Sequence, residues 1–221
     1  MAFNLKDLNY EKDSKERMPW EHYLELYQKA DPQEIAQRLQ IPYEEESRKL
    51  TLYFLGSTYQ ITWPDFQVNH IEDERGFYPL EEMIYAKILV IRFLLNGNDT
   101  KSSGKYKTYR EMPWGEVYLR QFDGRCIKRL AFTYGNRLAD FTKIMEHIGG
   151  EKIKFGDCSY EIEIVKNYHI QLILWEGDDE FPPSSQILFS DNFPASFEAE
   201  DMAVMGDVII GSLKSFLKVL S

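Results

Sequence analysis

Cysteine is nearly missing from this chain. The two present among 221 residues, Cys126 and Cys158, lie in different segments without C-x-x-C spacing, which excludes a disulfide framework and a zinc knuckle. Each is expected to be a buried thiol, because free cysteine is among the most buried residue types. Histidine is scarce too: His22, His70, His147 and His169 show no H-E-x-x-H or other paired spacing that would gather them around a metal ion. No apolar run approaches the roughly 18 residues of a membrane span, and the opening MAFNLKDLNYEKDSKER is too charged for a signal-peptide core. The expectation is a cytoplasmic protein with no membrane partner. No G-x-S-x-G occurs, and neither cysteine has a context that marks it as a nucleophile. The stretch SSGKY invites comparison with a phosphate-binding loop. That loop requires glycine where Asp99 stands and serine or threonine where Tyr106 stands, and it should follow a strand rather than a helix.

Positive charge is the other shortage. Lys and Arg number 26 against 36 Asp and Glu, a net charge of −10, so no nucleic-acid partner is expected, since duplex binding needs cations to neutralise phosphates. The deficit is local. From Asn167 to Gly211 stand nine acids (Glu176, Asp178, Asp179, Glu180, Asp191, Glu198, Glu200, Asp201 and Asp207) with no Lys or Arg. From Lys101 to Arg129 the balance reverses, with a surplus of five cations. The two segments either face each other within the molecule or point apart, leaving the basic one open to an anion. Facing is expected, because surface charge runs are usually structural or solvated.

What is plentiful is ring area. Fourteen Tyr, 14 Phe and four Trp supply large side chains whose polar tips need partners, which favours a ring-rich α+β core. Trp20, Tyr23, Leu24 and Tyr27 recur at helical spacing behind Pro19. A second, short helix is predicted from Asp31 as cap, Pro32 at its first position and Glu34 three residues after the cap. KLTLYFLGSTYQITW alternates about Gly56 and Ser57 and predicts a β-hairpin, residues 49–55 and 58–63, ended by Pro64. After an acidic loop at 67–76, the pattern PLEEMIYAKILVIRFLLNG predicts a helix over 79–95 that is apolar on nearly every face and so runs through the core. NGNDTKSSGKYKTYREMPWG, residues 96–115, reads as loop, followed by helical patterns at about 115–122 and 136–148. CSYEIEIV, IQLILW and SQILF are three strands, the second central. The last helix carries Met202, Met205, Ile209, Leu213, Phe216 and Leu220 at steps of three and four, with Glu200 and Asp201 in its first turn, where the dipole favours acids. The fold class expected is α+β: a mainly antiparallel sheet packed by a buried central helix and a C-terminal helix. One domain spanning residues 1–221 is expected, with residues 1–17 as a flexible arm.

LWEGDDEFPPSS places Glu176, Asp178, Asp179 and Glu180 on a loop between two of those strands. Four hard oxygen donors there suit a divalent cation or a cationic ligand. The spacing is not that of an EF-hand, since Phe181 and Ile187 occupy the positions of its glycine and its last glutamate. A solvated turn, stiffened by Pro182 and Pro183 and hung on Trp175 and Phe181, accounts for the same residues, and no metal site is assigned.

LWEGDDEFPPSSQILF followed by AEDMAVMGDVIIG resembles the signature block of domain of unknown function family 3786. The likeness extends to ADPQEIAQRLQIPY, YFLGSTYQI, KTYREMPWGEVY and FGDCSYEIEIV. The resemblance implies a bacterial or archaeal protein of anaerobic metabolism, with relatives that carry an iron–sulfur module and hint at corrinoid or methyl-transfer chemistry. Two lone cysteines cannot build a four-cysteine cluster, so no cofactor is expected here, and the family supplies no catalytic residue. Two functions stand open. One is a non-catalytic binding or accessory protein that meets a protein partner through the acidic loop 176–185. The other is an enzyme or a small-anion or metal binder with a pocket between that loop and the basic segment 101–129. Candidate binding residues for either are Trp175, Glu176, Asp178, Asp179, Glu180, Lys107, Arg110 and Trp114; whether a reaction is catalysed, and the oligomeric state, stay open.

Overall fold

The computed structural model describes residues 13–221 apart from Glu72. Of the expected N-terminal arm, residues 1–12 lie outside the described residues, and Asp13–Arg17 form a π-helical turn leading into the first helix. The fold is α+β, 48% helix and 22% strand, with a large antiparallel sheet packed against helices. Among the described residues no helix is long and apolar enough to cross a membrane.

Alternation builds the sheet. Strand β1 is Tyr43–Glu44, β2 Lys49–Phe54, β3 Ser57–Thr62 and β4 Val68–Ile71. After these come β5 Tyr106–Thr108, β6 Glu151–Lys152, β7 Cys158–Val165, β8 Tyr168–Trp175 and β9 Ser184–Ser190. The order along the sheet is β4-β3-β2-β7-β8-β9-β5, with β1 on β2 and β6 on β7. Leu50, Leu52 and Phe54 of β2 and Tyr59 and Ile61 of β3 are buried while their neighbours are half-buried, the period-two pattern of a sheet covered on one face. The hairpin turn falls at Leu55–Gly56, one residue earlier than expected. Both carry positive φ, 41° and 93°, as a two-residue turn matched to strand twist requires.

Helix α1 is Met18–Lys29 and α2 Pro32–Leu39. Asp31 caps α2 by accepting from Gln33 N at 2.8 Å. The predicted 79–95 helix is broken. Pro79–Glu82 form one turn, α3; Met83 is extended; and Ile84–Asn96 form α4. At the break the Met83 sulfur lies 3.4 Å from Ser212 Oγ on the last helix, α8, Ala199–Leu220. As expected, α4 lies in the core, with Ala86, Leu89, Val90, Ile91, Phe93 and Leu94 buried. Arg38 of α2 donates to its terminal carbonyls at Leu94 and Gly97, both at 2.6 Å, partners those orphan groups need.

Three further helices lie between β5 and β6: α5 Gly115–Phe122, α6 Lys128–Tyr134 and α7 Leu138–His147. A π turn, Asp123–Ile127, joins the first two. The segment after Phe122 has no clean helical period, because Gly124 and three cations interrupt it, so α6 was not predicted. Strands β4 and β5 likewise lie within segments expected to be loops. Both are edge strands of four residues or fewer, too short to display a period. Both cysteines are free and buried, and burial pushes the Cys126 thiol up to about 12, leaving it inert as a nucleophile.

Helix α8 begins where charge is matched. Glu198 and Asp201 form a reciprocal capping box. Asp201, only 8% exposed, meets Arg92 of α4, with Nε at 2.8 Å from Oδ1 and Nη2 donating to Oδ2 at 3.0 Å. Removing one member of such a pair strands a buried charge, so Asp201→Ala is expected to lower stability by about 3–5 kcal/mol, measured by urea unfolding at neutral pH. A chain ended at residue 198 loses Met202, Met205, Val208, Ile209, Leu213 and Phe216, all buried. At roughly 1.5–3 kcal/mol per side chain against about 5–15 in total, it is expected to give a collapsed NMR spectrum. A well-dispersed one would show that the rest folds alone.

Candidate partner-binding groove

The acidic loop closes on itself. Glu180 N and Phe181 N donate to Asp178 Oδ1 at 2.8 and 2.7 Å, and Asp178 N donates to Phe181 O at 2.9 Å. These bonds hold the Asp178 carboxyl below its ordinary value, as backbone donors to a carboxylate do. Gly177 N donates to Asn136 Oδ1 at 3.1 Å, and Glu176 N to Asp157 Oδ2 at 2.8 Å, which pins the loop to the α6–α7 junction and to the approach to β7. Glu176, Asp179, Glu180 and Phe181 are exposed, and Trp175 is 37% exposed at the end of β8. Among the described residues no three His, Cys, Asp or Glu are grouped as metal ligands.

The basic candidates lie elsewhere. β5 pairs with β9 over Leu188–Ser190, four to six residues along the strand from Ser184, where the acidic loop rejoins it. At about 3.3 Å per residue this is roughly 13–20 Å. Lys107 sits opposite Phe189, and the Arg110 guanidinium lies 4.0 Å from Glu116. The structure thus brings Arg110 to α5, not to Glu176.

The SSGKY stretch is tied to β9. Ser102 Oγ, Ser103 N and Ser103 Oγ all donate to Asp191, at 2.7, 3.0 and 2.5 Å. They hold its carboxyl down at about 2. The two charged segments do face each other at one point, since Arg125 and Arg129 both pair with Asp207 of α8.

Trp114 departs furthest from expectation. Gly115 N donates to Met112 O at 2.9 Å, closing a turn whose central residues are Pro113 and Trp114. Trp114 has φ 62° and ψ 5°, the third position of a type II turn, where glycine is the usual occupant. Gly115 is obligatory behind it, because a Cβ there would stand 1.9 Å from Tyr109 O. A bulky residue in the left-handed region costs about 1–3 kcal/mol, and burial does not offset that here: Trp114 is 79% exposed.

Beside the indole lies a cavity of about 510 Å³, walled by Pro113, Trp114, Val117 and Tyr118 on one side and by Pro194, Phe197 and Glu198–Glu200 on the other. Its two walls are joined by Tyr109, whose hydroxyl donates to Ala199 O at 2.8 Å and whose ring stacks on Phe122 at 4.1 Å. Val117, 68% exposed, adds apolar surface. A depression beside α2 is larger, about 570 Å³, but is lined mainly by Gln33, Gln37, Gln40 and Pro42 and holds no exposed tryptophan. Of the candidates named from sequence, Trp114 is in the groove and Arg110 is joined to it through Glu116. Sequence reasoning missed Tyr118, Phe197, Glu198 and Glu200. The signal was the PWG triplet itself, a Pro-X-Gly turn with a bulky residue where glycine fits best.

The profile of the family described as Domain of unknown function (DUF3786) matches residues 31–212, and the chain belongs to that family. No curated protein and no solved structure matches it.

Depressed carboxylates contribute stability above their unfolded value, which is lost as pH falls through the folded one. The Asp191 carboxyl is therefore expected to titrate near 2 by NMR, with the amides of Ser103 and Gly104 shifting in the same step. A midpoint near the ordinary aspartate value of about 3.9 would mean that the serine clasp is absent in solution.

Proposed function

We propose that this member of the DUF3786 family is a non-catalytic binding or accessory protein whose interaction site is the Trp114 groove, and that the groove takes a basic, extended segment of a partner protein. The observation that carries the proposal is the strained, exposed Trp114. Backbone strain without compensating burial is characteristic of ligand clamps, and exposed tryptophan is enriched at binding hot spots.

Charge selects the partner. Glu198 and Glu200 border the rings directly, Asp201 lies one residue on, and Glu116 stands in the first turn of α5. Against them stand Arg92, Arg110 and the positive end of the α8 dipole, worth about half a charge. The balance is negative beside indole and phenol faces, which suits a lysine or arginine side chain held by cation–π contact and carboxylate together. The apolar stretch of Pro113, Val117 and Pro194 then accommodates the segment's aliphatic part. The acidic loop 176–185 offers a second anionic surface with exposed rings, although Asp178 is committed to its own turn. The setting in anaerobic metabolism, with corrinoid or methyl-transfer chemistry, rests on the family resemblance alone.

The test is titration of a short Lys/Arg peptide against the protein, read by isothermal titration calorimetry, beside an acidic peptide of equal length. Binding is expected for the basic peptide only, weakening as salt rises and falling about tenfold in the Glu116→Gln, Glu200→Gln double variant. Trp114→Gly separates fold from function. It relieves the left-handed backbone, so stability should hold or rise by about 1 kcal/mol, while binding is lost. Undiminished binding by the glycine variant would remove the groove from the proposal.

A further inference from the structure

At the opposite end of α8 the charge reverses. A cavity of about 340 Å³ opens between α6 and the last two turns of α8, lined by Arg129, Thr133, Tyr134, Arg137, Lys214 and Lys218 among others. Four cations thus converge on a protein whose net charge is −10. Two are partly neutralised, Arg129 by Asp207 at 2.9 Å and Arg137 by Asp140 at 2.6 Å. Lys214 and Lys218 are exposed, and no ion pair joins either among the described residues. The acidic loop comes near through Gly177 and Asn136, but its carboxylates are not part of the wall.

Beneath this rim lies a polar group with nothing to bond. Tyr134 is fully buried, and its hydroxyl has no hydrogen-bond partner. Buried hydroxyls are rarely left so, and each exception calls for an explanation. The hydroxyls of Tyr59 and Ser57 are likewise buried without a partner; what sets Tyr134 apart is that it lines a cavity together with four cations. The Tyr134 ring packs against Phe141 in the core, with centroids 5.8 Å apart. Burial pushes its hydroxyl up to about 12 and Asp140 adds to the rise, while Arg137 and Arg129 act in the opposite direction, which puts both guanidinium groups, with the Asp140 carboxylate that pairs with Arg137, within electrostatic range of the oxygen. The carbonyls at the end of α8, which would repel an anion, are partly occupied: Leu217 O accepts from Ser221 Oγ at 2.6 Å and Leu220 O from Lys143 Nζ.

We infer that this cavity is a binding site for a phosphate group carried by a small molecule. Arg129, Arg137, Lys214 and Lys218 supply the charge, and Tyr134 donates the hydrogen bond for which the chain offers no acceptor. Guanidinium forks match the geometry of phosphate oxygens, and ammonium groups add charge without directional demand. The volume is at the lower end of small-molecule sites and excludes a duplex. Because the Tyr134 oxygen is out of solvent's reach, the rim must part for it to engage; the rim residues are long, exposed side chains, which can swing aside. The site is independent of the Trp114 groove and stands whether or not that groove binds a peptide.

Inorganic phosphate, pyrophosphate and glycerol phosphate, compared with chloride at equal ionic strength, provide the test on the full chain. A saturable rise in melting temperature is expected, about 3–6 °C at ten times Kd, larger for pyrophosphate or glycerol phosphate if the native ligand is an organic phosphate and equal for all three if it is free phosphate. Tyr134→Phe removes only the unpartnered oxygen. It should leave the ligand-free melting temperature unchanged or higher and weaken phosphate binding about tenfold or more. Lys214→Gln with Lys218→Gln, both at exposed positions, should abolish the phosphate increment. Three results would each overturn the assignment: stabilisation by chloride equal to that by phosphate, an undiminished phosphate Kd in Tyr134→Phe, or tighter binding of a DNA duplex than of pyrophosphate.

Discussion

Lys87 and Arg92 are the two charges on a helix that is otherwise almost wholly apolar, and the rest of the helical layer is arranged to meet Arg92. Its guanidinium donates to the Tyr23 hydroxyl of α1 at 2.6 Å, lies 5.0 Å from that ring's centre, and pairs with Asp201 and Glu198 of α8. A partly buried cation without partners costs several kcal/mol, far more than a well-made pair contributes net. The register of α1, α4 and α8 is therefore constrained at a single point. Since Glu198 and Asp201 are also the reciprocal cap of α8, the same contact sets where that helix begins. The start of α8 fixes the Ala199 carbonyl, the carbonyl fixes Tyr109, and Tyr109 precedes the turn that holds Trp114. A core ion pair thus determines the geometry of a surface groove through three covalently or hydrogen-bonded steps.

Helix α8 also explains why a chain with a strong charge imbalance presents two sites of opposite sign. At 22 residues it is about 33 Å long. Its dipole is complemented in the ordinary way, by Glu200 and Asp201 in the first turn and Lys218 in the last. Those side chains serve the helix first. Each set then meets a second element: the rings of α5 at the N-terminal end, and the cations of α6 and the α6–α7 junction at the other. Between them, Asp207 takes up Arg125 and Arg129. That contact is where cations of the basic segment pair with the acidic one, and it leaves the carboxylates near the start of α8 to Arg92 and the cations near its end only partly paired.

The legible parts of the fold were those with a long, unambiguous period. The buried faces of β2 and β3, the all-apolar α4 and the terminal helix follow from side-chain spacing alone, because burial on one face or on all faces dictates it. The short edge strands were not legible: three or four residues carry no period, and β5 exists only because β9 offers it an edge. Helix α6 was hidden by its cations, which belong to a rim rather than to a solvated loop. The acidic loop drew attention through composition, yet its most central carboxylate, Asp178, serves its own backbone. Trp114 was legible as a candidate, but its partners were not. Phe197 and Glu200 are about 80 residues away in sequence and line the same cavity, its walls joined by the Tyr109–Ala199 bond.

Among the departures from local consistency in the described residues, two lie at the candidate sites. At φ 62° a glycine would be more stable than Trp114, and the indole does not gain by burial what its backbone loses. At Tyr134 a phenylalanine would fill the same volume without stranding a hydroxyl. Neither residue is chosen by packing, by hydrogen bonding within the chain or by secondary-structure preference. Proteins depart from these rules chiefly where function requires it. One departure places a ring in solvent between carboxylates, and the other places a donor beneath four cations. The ligands proposed for the two are accordingly of opposite sign, a cation for the first and an anion for the second.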